Sequence, residues 1–478
     1  MTKNIENKKV TLDEIFYPRG VAVIGVSPSK MTFSEMVVLT LIQAGFPNIY
    51  PVNPKYKETF DLPCYPNLQS IPEVVDHVLV NIPAESVLAL LDDCIEKGIK
   101  SIQFFTAGFG ESGIKERIDL EKEMLRKARE GNFRIIGPNC VGLCVTKTGL
   151  NQGFSYVKIP GSVAFISQSG GNAFSFPFRG GLRGIYFSKI VSYGNAIDVD
   201  EVELIEYLTD DPDTEIISAY IEGVKDGSRF KKAFKEAASK KPFVIYKGGK
   251  TEAGKRAAHG HTASMTSSVA IFEGLCRQVN AIQVDDVEEM ADVIAALSYA
   301  KPLPKDTGAA LIGAGGGPSV LAGDVMEKEG LYLPAFSKEL QEELKQVLPV
   351  AGRIFINPLD TTNLATPEAI EVALNVLANA EDIHMVAYHL GFHPIGTWGI
   401  GRYTPENFCN PVIESMKKFR ETSGKPVLLA LQPPLDMGGM EEFLASQAAF
   451  VEAGFPIFHS IGRLARAMAR TIKWNNRI

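Results

Sequence analysis

A chain of 478 residues is longer than one hydrophobic core organises, so several domains are expected. With 45% hydrophobic and 22% charged residues, 43 Gly and 28 Pro, the composition is that of a globular α/β protein and excludes a fibre or a disordered chain. A formal net charge of −7 supplies no broad cationic field for nucleic-acid phosphates, and no uninterrupted apolar run reaches about 18 residues, so neither nucleic acid nor a membrane is an expected partner.

Short apolar runs at 21–26, 49–52, 78–82, 101–105 and 133–136 alternate with helical-looking stretches, the pattern of a parallel sheet covered on both faces. The turn-rich passage 146–162 interrupts the pattern. It resumes with VAFIS, YFSKIVS, IISAYIE and PFVIYKG as strands, separated by helical stretches such as 200–209 and 228–239 and closed by a helical stretch at 284–297. The Pro- and Lys-containing segment 301–308 reads as a linker, after which AALIGAGGGPSV begins a further strand-turn-helix unit. HMVAYHLGF, KPVLLALQ and FPIFHSI add strands to it, and RLARAMARTIKW is a basic final helix. Three α/β domains with mainly parallel sheets are expected, over 1–148, 149–303 and 304–478. Six scattered cysteines argue against a disulfide framework and suit a reducing, cytoplasmic setting.

The first strand runs into IGVSPSK (24–30), a glycine turn before a helix, where free N–H groups and the helix dipole favour an anion. The G-x-G-x-x-G spacing of a dinucleotide site is absent, and the second strand ends in Asn53-Pro54-Lys55 where such sites place an acid. Lys55 and Lys30 instead suit a phosphate-rich ligand, or are solvated surface lysines. FFTAGFGESG (104–113) and IIGPNCVG (135–142) also follow strands and would continue one rim. In AFISQSGGNAF (164–174), Ser169 lacks the glycine two residues earlier that a nucleophile elbow requires, since that position is Ser167. Gly315, Gly316 and Gly317 leave several N–H groups open to an oxyanion, and two such helix starts facing one point would hold a phosphoryl group. Its carrier is sought in KGGKTEAGKRAAHGHTAS (247–264), a polar, glycine-broken stretch expected to be a loop. His261 there is a competent phosphoryl acceptor, and Glu222, at the end of IISAYIE, is a carboxylate placed to fix its tautomer. Glu222 reads equally as an exposed strand-end acid. His77, His384 and His459 have apolar or scattered surroundings and read as structural, as do His389 and His393 in YHLGFHP unless they line a cleft.

From GVAVIGVS through YPVNPK, IGPNCVG, ISQSGGNAF, YIEGVKDG, KTEAG, VDDVEEM and AGGGPSVLA to INPLDTT, nearly the whole chain resembles the α-type part of NDP-forming acyl-CoA synthetases, the ADP-forming acetate–CoA ligase group, related to the succinyl-CoA synthetase α subunit. That resemblance implies three consecutive Rossmann-like or flavodoxin-like domains. It implies CoA near Gly25, Ser27, Lys55 and Thr106, Ala107 and Gly108, and an acyl and phosphate site near Asn139, Ser169, Gly170 and Gly171. His261 would carry phosphate, steadied by Glu222. A partner with an ATP-grasp domain would hold ATP or ADP with Mg, in an oligomer acting on a small carboxylic acid or its acyl-CoA. Around His261 the chain departs from the family pattern, with Lys250 for Arg, Gly260 for Ser, Ala263 for Gly and Val269 for Asp. These changes keep open a non-phosphorylating, CoA-binding scaffold or regulator.

Overall fold

The apolar runs of the first stretch form short strands whose residues are buried on both faces, as a sheet flanked by two helical layers requires. These are β1 (Val21–Ile24), β2 (Ile49–Val52), β5 (His77–Val80), β6 (Ser101–Phe104) and β7 (Arg134–Ile136), while β3 (Glu58–Thr59) and β4 (Leu62–Pro63) make a small antiparallel hairpin. The five pair in parallel in the order β2-β1-β5-β6-β7. The computed structural model describes residues 9–27, 32–154, 159–262, 268–313, 315–348, 355–360, 366–391, 405–434 and 439–477, with the backbone alone at 258–262, 391, 405 and 406.

A second sheet contains β8 (Leu143–Val145), β9 (Leu150–Asn151), β10 (Pro160–Ser167), β11 (Phe187–Ser192), β12 (Ile216–Ile221), β13 (Phe243–Lys247) and β14 (Ile282–Val284), in the order β14-β13-β12-β10-β11-β8-β9. Five of its strands are parallel. β8 and β9 add an antiparallel edge, so residues before 149 contribute to this sheet. A third, all-parallel sheet has the order β16-β15-β17-β18-β19, from β15 (Ala309–Gly313), β16 (Leu359–Asp360), β17 (Met385–Gly391), β18 (Val427–Gln432) and β19 (Ile457–Phe458).

The chain forms two compact units. One takes in Met1–Gly181 and Tyr186–Asp285, with the first and second sheets sharing an apolar core that runs from Val21 and Val38 through Ile166 and Ile205 to Phe243. The other takes in Leu182–Ile185 and Asp286–Ile478, around a separate core that includes Ile312, Leu374, Val412 and Leu429.

Two local expectations are corrected. The stretch expected to be a loop around His261 forms the helix Glu252–Thr262. Two of its eleven residues are glycines, Gly254 and Gly260, and between them Lys255, Arg256, Ala257 and Ala258 supply good helix formers. The stretch 284–297 is not uniformly helical either, because Ile282–Val284 completes the sheet edge and the helix Val287–Tyr299 starts from Asp286, whose side chain caps Glu289 N–H.

Candidate functional site

Loops leaving the carboxyl ends of parallel strands collect on one edge, where backbone groups are free of the ladder. In the first sheet Gly25 follows β1 with φ +84°, and a Cβ there would stand 2.8 Å from the Asn81 carbonyl oxygen, so both conformation and space require glycine. Gly25 N–H donates to Val52 O at 3.1 Å. Asn53 Nδ2 donates to Val26 O at 2.6 Å, while its Oδ1 accepts the Lys55 N–H at 2.9 Å. Ser27 Oγ lies 3.4 Å from Tyr56 OH. Asn53, a residue the sequence did not single out, therefore ties Val26, between Gly25 and Ser27, to Lys55. Lys30 lies outside the described residues.

The rim continues through Thr106, whose hydroxyl donates to Ile82 O at 2.9 Å and whose carbonyl accepts Asn139 N–H at 3.1 Å. The expectation for Gly108 changes. Its N–H donates to Glu111 Oε1 at 2.5 Å, and Phe109 N–H donates to the other oxygen at 3.1 Å, so a side chain of this protein already satisfies that turn. Asn139 has φ +57° and leads into Cys140, whose thiol burial pushes up to about 12, which removes it from thiolate chemistry.

The Gly137–Gly142 loop then meets the second sheet. Asn195 N–H donates to Pro138 O at 3.0 Å and Ile197 N–H to Gly137 O at 3.1 Å. Val141 N–H donates to Ser192 Oγ at 3.1 Å. A Cβ at Gly170 would touch Val141 Cγ2 at 3.3 Å, which puts the start of the helix Gly170–Gly181 against this loop. Ser169 Oγ accepts Asn172 N–H at 3.3 Å and so caps that helix. The loop that holds Asn139 thus meets, through Val141, the helix start of Ser169, Gly170 and Gly171, whose glycine amides and helix dipole favour an oxyanion.

Glu222 is buried, 7% exposed, at the end of β12. Its N–H and that of Gly223 both donate to Gln168 Oε1, at 2.9 and 3.1 Å, and Tyr220 OH donates to its carboxylate at 3.1 Å. Lys247, wholly buried, donates to the Glu222 carbonyl at 2.5 Å and to the Gly248 carbonyl at 2.6 Å. Burial pulls the Lys247 pKa down while the Glu222 charge opposes it. Because β12 and β13 pair through Ile221 and Lys247, Glu222 and Gly248 leave the sheet side by side. The helix Glu252–Thr262 begins four residues beyond Gly248 and packs by the turn Gly110–Ser112. The His261 side chain lies outside the described residues. Lys250 donates to Asp285 at 2.9 Å and to Val284 O at 3.1 Å, anchoring the start of this segment to β14.

Gln168, Asn53 and Lys247 were missed from sequence because their roles are backbone contacts to residues far along the chain. Gly315, Gly316 and Gly317 open the helix Gly316–Lys328 in the other unit, with Gly315 at φ +113°. Among the described residues no group of three or more His, Cys, Asp or Glu could hold a metal ion, and no helix is long and apolar enough to cross a membrane.

Comparison with known proteins agrees with this layout. Residues 19–146 match a CoA binding domain family, and residues 160–297 match a succinyl-CoA ligase like flavodoxin domain family. The acetate–CoA ligase (ADP-forming) II subunit alpha of Pyrococcus furiosus is 36% identical over 419 residues, covering 87% of this chain and 89% of that protein. The acetate–CoA ligase (ADP-forming) I of Archaeoglobus fulgidus is 35% identical over 377 residues, covering 78% of this chain and 54% of its own length, so the chain spans about half of that longer relative. The solved dinucleotide forming acetyl-coenzyme A synthetase 1 of Ca. Korarchaeum cryptofilum, in complex with phosphate and ADP, superposes with a TM-score of 0.82 at 29% identity over 97% of each chain. With matching domain families, a matching fold and this extent of identity, the chain belongs to the ADP-forming acetate–CoA ligase family, ligases that form carbon–sulfur bonds, and is similar to its α subunits.

Proposed function

We propose that this chain is the α subunit of an NDP-forming acyl-CoA synthetase that interconverts acyl-CoA, ADP and phosphate with a carboxylic acid, CoA and ATP. The observation that carries the reading is the convergence, within one unit, of the Asn139 loop, the Ser169–Gly171 helix start and the buried Glu222, with the helix bearing residue 261 leaving the neighbouring strand.

CoA binds along the rim of Gly25, Ser27, Lys55, Thr106 and Ala107, where Lys55 answers its phosphates. An oxygen of inorganic phosphate attacks the thioester carbonyl, the C–S bond breaks, CoA leaves as a thiolate that takes a proton, and acyl phosphate remains. The amides of Gly170 and Gly171 neutralise charge on the phosphoryl oxygens. A ring nitrogen of His261 then attacks phosphorus, the bond to the acyl oxygen breaks, and the carboxylic acid leaves as its anion. Glu222 stabilises the imidazole during this step. ADP, held with Mg on an ATP-grasp partner subunit, takes the phosphoryl group from nitrogen and becomes ATP. Gly315, Gly316 and Gly317 form a further oxyanion-binding helix start within the other unit. The working protein is an oligomer with that partner in the cytoplasm.

The test is incubation of the chain with its ATP-grasp partner and labelled ATP with Mg. Acid-labile, base-stable protein phosphate is expected in the wild type and none in His261→Ala. Full labelling of His261→Ala sinks the assignment, and tight CoA binding without labelling under any partner returns the scaffold reading.

A further inference from the structure

Glu222 is the buried acid on which the proposed phosphotransfer depends, and its carboxylate is aimed by a residue with no assigned part in the reaction. We infer that Tyr220 is a positioning residue for that step, linking the start of the phosphate-binding helix to Glu222 through its hydroxyl; the inference rests on the reading of Glu222 and His261 given above.

Tyr220 sits at the end of β12, between Ser167 of β10 and Tyr246 of β13. Its hydroxyl donates to Glu222 Oε1 at 3.1 Å and accepts a hydrogen bond from the Asn172 side chain, in the first turn of the helix Gly170–Gly181. Burial and the adjacent Glu222 charge push the Tyr220 pKa up, so the proton that it donates stays on the phenol throughout the neutral range. The ring is held independently of the hydroxyl, packed against Tyr246 with centroids 5.4 Å apart.

The surroundings are shaped for that hydroxyl. A Cβ at Gly248 would stand 2.7 Å from Tyr220 OH and 3.2 Å from Glu222 Cγ, so glycine leaves the room in which the two groups meet. The main chain on either side of the carboxylate is fixed as well, by Gln168 Oε1 on the Glu222 and Gly223 N–H groups and by Lys247 on the Glu222 carbonyl. Fixing the backbone does not by itself set the side-chain torsions of Glu222, and the Tyr220 hydroxyl adds a restraint at the carboxylate end. Asn172 ties this restraint to the helix whose amides meet the phosphoryl group. A shift of the helix start on phosphate binding would therefore be felt at the carboxylate through two hydrogen bonds.

The experiment compares Tyr220→Phe, Glu222→Gln and the double variant, each with the ATP-grasp partner. The readouts are the single-turnover rate of histidine phosphorylation, the KM for phosphate, CoA affinity and the thermal midpoint. Tyr220→Phe keeps the ring packing, so the midpoint and CoA affinity should stay at wild-type values. The phosphorylation rate should fall about 10- to 100-fold, the size of losing one hydrogen bond to a charged group, with a much smaller change in KM. The double variant should be no slower than Glu222→Gln alone, because Tyr220 acts only through that carboxylate. Gly248→Ala, which crowds the hydroxyl without removing it, should reproduce part of the loss and serves as the second variant should Tyr220→Phe fold poorly.

A wild-type rate in Tyr220→Phe, or effects of the two substitutions that multiply, overturns the inference. If His261→Ala and Glu222→Gln both stay fully active, the underlying reading fails instead, which separates the two cases.

Discussion

His77 shows how a histidine can be removed from chemistry by its neighbours. It is wholly buried in β5, with Nδ1 2.7 Å from Ser101 Oγ and Nε2 2.7 Å from the Gln152 side-chain amide, and burial lowers its pKa to about 3. The unfolded chain binds a proton there near the ordinary value of 6.5, while the folded chain does not until about 3. Its contribution to stability is therefore full above pH 6.5 and is lost as pH falls from 6.5 toward 3. At pH 5 this withdraws about 2 kcal/mol. Unfolding of the wild type and of His77→Gln across pH 4.5–7.5 should show the steeper acid loss in the wild type; parallel curves would contradict it. Sequence alone assigned His77 a structural part on its apolar neighbours, but the Ser101 and Gln152 partners are 24 and 75 residues away and could not be read.

At the scale of elements, the strands of the first sheet and β15, β17, β18 and β19 of the third were legible because parallel strands buried on both faces are continuous apolar runs. The strands β8, β9, β14 and β16 were not, being only two or three residues long. The helix Glu252–Thr262 was missed for a different reason, since polar residues and two glycines hid ordinary helix formers. The site was legible as loops but not as a meeting of loops. Gly194 illustrates what joins them: it has φ +51°, and a Cβ there would stand 2.2 Å from Pro138 O and 2.4 Å from Asn139 O. Gly194→Ala should push the Asn139 loop away from the second sheet, destabilise the protein by about 2 kcal/mol or more, and weaken CoA binding in calorimetry. Unchanged affinity would uncouple this contact from the rim.

At the scale of the molecule, Arg183 is 3% exposed and pairs with Glu288 at 2.7 Å and with Asp292 at 3.4 Å, all within the second unit. Arg463 reaches the same carboxylates, Asp292 at 2.6 Å and Glu288 at 3.1 Å. Arg183→Ala leaves Asp292, 2% exposed, with half of its cations and should cost about 3 kcal/mol. Trp474 belongs to this unit, so indole fluorescence during urea unfolding should register the loss as an earlier transition.

The placement of Leu182–Ile185 in the second unit also bears on how the gene could be divided. A break after Asp285 looks natural, yet it puts Arg183 on one polypeptide and Glu288, Asp292 and Arg463 on the other. Neither product would be self-sufficient: one would display a cationic loop stripped of its acids, the other a buried acid short of a cation. Co-expressed, the two pieces should recover each other through those four residues and purify as a pair.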